Sequence, residues 1–183
     1  MNTPQDALKN LQARIKKTTD EGRCEAIEKR HRKGYRSARE NLASLCDVDS
    51  YIEYGQLAVA AQRQRRDYQD LQTATAADGI LTGVAHVNPE QHGRNNSKTA
   101  LVINDYTVLA GTQGYFHHKK LDRIIEVAAT QKLPVIMFTE GGGGRPGDTD
   151  ATTQIAGLNI TSFSAWAGLS GKVPRIAVNN GYC

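Results

Sequence analysis

Residues 141–144 are four consecutive glycines, followed by Arg145-Pro146-Gly147. Glycine loses more conformational freedom on folding than any other residue. A run of four therefore belongs where the backbone bends sharply, or where a partner comes close to bare amide groups. Two readings follow. One is a flexible surface loop. The other is a set of backbone N–H donors aimed at a developing oxyanion. The setting favours the second. The apolar run Leu133-Pro134-Val135-Ile136-Met137-Phe138 feeds the loop as a buried strand, and a further helix-and-strand pattern follows it. A second chemical group is basic. Lys33, Arg36 and Arg39 lie in one segment, with the two arginines one helical turn apart. On position alone they make an exposed charged face.

Other residue types argue against other chemistries. Cys24, Cys46 and Cys183 are far apart, with no CxxC or Cys/His cluster. Reduced cytoplasmic thiols are the simplest reading, and zinc is not expected. His117 and His118 are adjacent and so point different ways on a helix, with no partner ligand in view. The net charge of +4 is carried mostly by basic residues before Arg66, which suits contact with phosphates. The pI of about 9.0 and the Arg63-Gln64-Arg65-Arg66 run raise nucleic acid as a partner, but no aromatic-rich sheet motif supports it. No apolar run approaches the ~20 residues that span a bilayer, and the N-terminus lacks the apolar core of a signal peptide.

The elements that must hold these residues fall into two segments. Residues 1–75 are predicted to be helical and basic. Thr3-Pro4-Gln5-Asp6 opens a helix with Leu8, Leu11 and Ile15 on one face, and Ser37-Ala38-Arg39-Glu40 is a capping box for a second helix. Residues 51–54 have strand character, and residues 61–70 read as a solvated helix or loop. Residues 76–183 run strand, strand, helix, strand, helix, strand. The strands are expected at residues 80–87, 99–109 (one long or two short), 133–138 and 173–178. Leu121, Ile124, Ile125 and Ala128 mark the buried face of the first helix of this half. Phe163 and Trp166 mark the second, with Trp166 in the core. Such an order makes an α/β layer, a sheet covered by helices.

Four stretches, in order, resemble the carboxyltransferase subunits of biotin-dependent acyl-CoA carboxylases, the acetyl-CoA and propionyl-CoA carboxylase group. Lys33-Gly34-Tyr35-Arg36-Ser37-Ala38-Arg39-Glu40 is similar to the family's K-G-K-x-T-A-R-E. Asp78-Gly79-Ile80-Leu81-Thr82-Gly83 is similar to D-G-V-V-T-G. Asn104-Asp105-Tyr106-Thr107-Val108 with Gly111-Thr112-Gln113-Gly114 is similar to D-F-T-V-x-G-G-S-x-G. Glu140 and the glycines up to Arg145 are similar to D-S-G-G-A-R, with Glu for Asp and glycine for Ser and Ala.

The resemblance implies a crotonase-like fold, a spiral of strand-strand-helix units, here preceded by the basic helical segment. It implies transfer of a carboxyl group from carboxybiotin, carried on a separate protein or domain, to the α-carbon of an acyl-CoA. The thioester enolate would be held by backbone N–H groups of Gly142, Gly143 and Gly144. Lys33, Arg36 and Arg39 would meet the phosphates of coenzyme A. Gly111, Gln113, Arg145 and Gly181 would line the site. No side-chain base and no metal are expected, because in this family biotin itself takes the proton. Implied partners are acyl-CoA, a biotin carboxyl carrier protein, biotin carboxylase, a C-terminal carboxyltransferase domain and further copies of the chain. Nucleic acid and membrane are not among them. The implied compartment is the cytoplasm, or the mitochondrial matrix in a eukaryote. In the family the turn at Gly181-Tyr182-Cys183 continues into an alanine/glycine pair, so an incomplete domain, inactive in isolation, is expected. Two alternatives stay open. One is a non-catalytic acyl-CoA-binding or assembly fragment. The other is a crotonase-type acyl-CoA decarboxylase or hydratase.

Overall fold

The apolar runs at residues 80–86 and 98–104 become strands buried on both faces, as continuous hydrophobic runs should, whereas those nearer the C-terminus are half-buried or exposed. The computed structural model, which describes residues 3–150 and 161–183, carries twelve helices and strands beside short 3-10 turns among those residues. They are α1 (Pro4–Lys16), α2 (Cys24–His31), α3 (Ala38–Leu45), β1 (Ile52–Tyr54), α4 (Tyr68–Ala74), β2 (Ile80–His86), α5 (Pro89–His92), β3 (Lys98–Asn104), α6 (Tyr115–Gln131), β4 (Val135–Thr139), α7 (Ser162–Ala167) and β5 (Arg175–Asn179). The strands form one sheet in the order β1-β2-β3-β4-β5. The β1-β2 and β2-β3 pairs are antiparallel; β3-β4 and β4-β5 are parallel. The first strand comes from the segment before residue 76, so the sheet draws on both halves of the chain.

Strand alternation divides the core. Ile80, Val84, Ala100, Val102 and Val135 face one side, where they pack on Leu121, Ile124, Ile125 and Ala128 of α6. All four helix residues are buried, as their spacing predicts. Leu81, Ala85, Leu101 and Ile103 face the other side and pack on Ala38 and Leu42 of α3. The expected capping box forms at Ser37, whose Oγ accepts from Glu40 N, and the Thr3 helix start proves to be a second one, Thr3 Oγ1 accepting from Asp6 N, each acid returning the bond. The outer strand β5 is exposed along its length, including Ile176 and Val178.

Three expectations need correction. The strand signal at residues 99–109 stops at Asn104, because Asp105 turns the chain. Its carboxylate takes the Thr107 N–H at 2.9 Å and an ion pair from Arg23 at 2.7 Å. Residues 61–70 are not simply solvated. Ala61 and Gln62 are buried, and Gln62 Nε2 donates to Asp148 Oδ1 at 3.0 Å. Asp67 then caps α4 by accepting from the Gln69 and Asp70 amides. Trp166 is half-buried at the margin of the core, with Arg175 over its ring. Among the described residues, no helix is long and apolar enough to cross a membrane.

Candidate active site at the glycine loop

Beyond β4 the chain must leave the sheet at the level where the turn after β3 also ends. Gly111 and Gly141 make that crossing possible. A Cβ on Gly111 would lie 2.7 Å from Gly141 Cα, and one on Gly141 would lie 2.5 Å from the Gly111 carbonyl oxygen. Gly111 also has φ +68, a conformation that glycine adopts without strain. Backbone therefore packs on backbone, and the two segments join as a parallel bridge. Gln113 N donates to Gly143 O at 2.8 Å, and Arg145 N donates to Gln113 O at 2.8 Å. Gly142, Gly143 and Gly144 stand exposed beyond it. Among the described residues their N–H groups donate to no protein acceptor, whereas Gly141 N is used by Tyr182 O at 2.9 Å. A Cβ on Gly143 or Gly144 would meet nothing within 4 Å. The loop thus presents bare donors to open space.

Arg145 is not a lining residue but the anchor of this loop. It is buried, with an ion pair to Asp78 and another to Asp148 at 3.4 Å. Its Nη2 donates to the Thr112 carbonyl at 2.6 Å and its Nε to Thr112 Oγ1 at 3.3 Å. The carboxylates also tie down the start of α6. Asp78 Oδ2 accepts from His117 N at 2.7 Å, and Asp148 Oδ2 from Tyr115 N at 2.8 Å. Burial pushes the Asp78 carboxyl upward, and the Arg145 charge opposes it. His117 is fully buried, and its Nδ1 donates to the Asp78 carbonyl at 3.2 Å. Burial, with the positive neighbours His118, Arg145 and Lys120, pulls its pKa down to about 3. Lys120 is buried too, donating to the carbonyls of Ala77 and Ile80, and burial lowers it to about 8.

A cleft of about 770 Å³ opens beside the loop, between α2 and the turn after β3. Glu140, Ala110 and Tyr182 line it next to the glycines; Lys29, Arg32 and Lys33 line the α2 side, with Glu25 and Glu28 on the same helix. The three cations make no ion pair among the described residues. At the base, Arg30 grips Glu140 with both arms, Nη1–Oε1 at 2.9 Å and Nη2–Oε2 at 2.6 Å.

Of the three residues expected to meet phosphates, Lys33 alone lines the cleft. Arg36 precedes the Ser37 cap, so it is not on the helix, and it donates to Ser44 Oγ at 3.1 Å. Arg39 is held by Glu53 at 3.1 Å and the Thr18 carbonyl at 2.6 Å. Gly181 packs on Glu140, where a Cβ would clash with the carboxylate. Gln113 and Gly111 frame the loop rather than a cavity. Arg30 and Asp148 were not singled out in the sequence, and Asp78 and Glu140 stood in the family-like stretches without a role. The available signal was an acid beside glycine at the end of a buried strand or the start of one: Glu140-Gly141 and Asp78-Gly79. Among the described residues, no three His, Cys, Asp or Glu side chains group closely enough to hold a metal ion.

The chain as a whole finds counterparts among known proteins. The family described as the carboxyl transferase domain matches residues 29–183. The chain belongs to that family. The carboxyl transferase domain here is 31% identical over 189 residues to the biotin-dependent long chain acyl-coenzyme A carboxylase beta4 subunit of Mycobacterium tuberculosis, covering 100% of this chain and 32% of that protein. Among solved structures it is similar to a single-chain, multi-domain long-chain acyl-CoA carboxylase, with TM-score 0.89 and 47% identity, over 97% of this chain and 17% of that one. It also matches the transcarboxylase 12S hexamer solved with hydrolysed methylmalonyl-coenzyme A bound, with TM-score 0.72 and 26% identity, over 98% of this chain and 32% of that one. The chain spans about a third of the length of the curated relatives it matches. The mixed five-stranded sheet with its helices is the crotonase-like α/β arrangement of these carboxyltransferase structures.

Proposed function

We propose that this chain supplies the acyl-CoA side of a carboxyltransferase site, in which a carboxyl group passes from carboxybiotin to the α-carbon of an acyl-CoA. The observation that carries this reading is the set of N–H donors at Gly142, Gly143 and Gly144, unused among the described residues, beside a cleft whose far wall carries cations without an ion pair among those residues. The loop's open space and bare amides suit a flat carbonyl-bearing group, whether the ureido group of biotin or a thioester. Carboxybiotin, when bound, would supply the carboxyl group, and the biotin left after its departure would take up the α-proton.

The chain's own residues do the rest. Removing the α-proton puts negative charge on the thioester oxygen. A preformed N–H donor in a water-poor site lowers the barrier to that charge by roughly 3–4 kcal/mol. Lys29, Arg32 and Lys33 hold the coenzyme A phosphates in the cleft, which replaces the assignment to Arg36 and Arg39. Residues 1–75 act as the phosphate-contacting segment, and residues 76–183 as the carboxyltransferase N-domain. A carrier protein bearing biotin, a C-terminal carboxyltransferase domain and further copies of the chain are the expected partners. The hexameric assembly named for the transcarboxylase 12S structure supports the last.

Calorimetry with acetyl-CoA and propionyl-CoA tests the reading. The Lys29→Ala, Arg32→Ala, Lys33→Ala triple variant should weaken binding at least tenfold and flatten its salt dependence. Arg36→Ala should leave affinity within twofold. Equal affinity in parent and triple variant, or no binding by the parent, sinks it.

A further inference from the structure

We propose that Asp78, acting through Arg145, is the positioning residue that aims the Gly144 N–H, the donor best placed for the oxyanion in the reading above, on which this inference rests. The Gly143–Gly144 peptide is held at its carbonyl end. Its carbonyl accepts from Gln113 N at 2.8 Å. Among the described residues there are no cis peptide bonds. In a trans peptide the C=O and N–H point in opposite directions. The Gly144 N–H therefore points away from the residue 111–114 segment and into the open side of the loop. Its direction is fixed by whatever fixes Gln113.

Arg145 fixes Gln113. Its backbone N–H takes the Gln113 carbonyl, and its guanidinium takes both polar atoms of Thr112, the carbonyl at 2.6 Å and the hydroxyl at 3.3 Å. Asp78 fixes Arg145. One carboxylate oxygen pairs with Arg145 Nη1, and the other accepts from His117 N in the first turn of α6 at 2.7 Å. The loop is thereby tied to the longest helix of the described residues rather than to solvent. Asp78 is fully buried, so its charge serves no surface interaction. It and Ala77 both take left-handed backbone angles, φ 50 and φ 52. Such conformations persist only where the surroundings over-determine them. Asp148 is the second carboxylate on Arg145, but at 3.4 Å it is farther, and it also receives Tyr115 N and Gln62 Nε2.

Amide relaxation by NMR on this chain tests the inference without needing catalysis. The variants are Asp78→Asn, which keeps the shape and an acceptor but removes the charge, and Arg145→Lys, which keeps the charge but removes the arm to Thr112. In the parent, the Gly144 amide should be as ordered as those of Val102 and Ile103, with order parameters of about 0.85. In either folded variant Gly143 and Gly144 should drop below about 0.6 while Val102 and Ile103 hold. A disordered Gly144 in the parent overturns the inference, and so does an unchanged Gly144 in a folded variant. Should neither variant fold, the parent measurement still decides. Acyl-CoA calorimetry on the same parent sample judges the functional reading separately. A parent that binds no acyl-CoA sinks that reading, whereas the loop measurement alone judges whether Asp78 and Arg145 orient Gly144.

Discussion

Arg30 and Glu140, 110 residues apart in sequence, meet in a two-armed ion pair at the base of the cleft. Both side chains are buried, at 6% and 4% exposure. The pair fastens α2, and so the basic wall of the cleft, to the end of β4 where the glycine loop begins. Arg30 Nε is spent on the Arg36 carbonyl, and Tyr35 lies under the guanidinium at 5.3 Å. One charge left without the other would be stranded away from water.

Glu140→Gln should therefore cost about 3–5 kcal/mol of unfolding free energy, as removal of one member of a buried pair does. The double variant Arg30→Met, Glu140→Leu should recover much of that loss, because no buried charge remains. Urea unfolding of the parent, Arg30→Met, Glu140→Leu and the double variant measures the coupling. A single-variant loss below 1 kcal/mol would mean that the two groups are well hydrated when apart.

The same pair shows where sequence legibility stops. The apolar strand runs, the α6 face and the Ser37 capping box follow from local patterns, and the structure keeps them. The resemblance to carboxyltransferases rested on four short stretches in order, and the family match covers all four. The buried ion pairs were not legible. Arg30 sits in a run of five basic residues, Lys29 to Lys33, in which nothing local sets it apart, and only its partner far along the chain pulls it inside. Arg39 failed for the converse reason. A capping box placed it correctly on α3, but Glu53 on the edge strand β1 claims its charge. Local pattern gives the element and the face; which charge is free depends on contacts across the chain.

The buried histidine gives a pH dependence of stability. His117 titrates near 6.5 when unfolded and at about 3 when folded. Between those values the unfolded chain binds one more proton, so stability is full above pH 6.5 and falls as the pH drops. The slope approaches about 1.4 kcal/mol per pH unit. His118, half-buried and lowered in the same direction, adds to it. Chemical unfolding between pH 6.5 and about 4.5 lies above the ordinary carboxylate range and reads the histidines, with the burial-raised Asp78 carboxyl contributing a slope of opposite sign. His117→Asn, whose amide can replace Nδ1 as donor to Asp78 O, should remove the larger part of the slope. An unaltered slope would assign the acid sensitivity elsewhere.

The glycine loop itself can be tested by removing a donor. Gly143 is the wrong position, since its φ of +86 is closed to proline and strained for alanine. Gly144 is the right one. It is not among the glycines with positive φ, and a Cβ there meets nothing within 4 Å. Gly144→Pro deletes the proposed N–H donor; Gly144→Ala keeps it and controls for bulk. In a carboxyltransferase containing this chain, followed as transfer from a carboxylated acyl-CoA to free biotin, the proline variant should lose at least ~100-fold in rate. The loss should fall on kcat and leave KM for acyl-CoA nearly unchanged, because the oxyanion charge exists only in the enolate and the transition state that leads to it. The alanine variant should stay within about fivefold of the parent, the small penalty of an exposed surface change. Equal rates for proline and parent, in a variant with the parent's melting temperature, would return the glycine run to a structural loop that lets Gly111 and Gly141 cross.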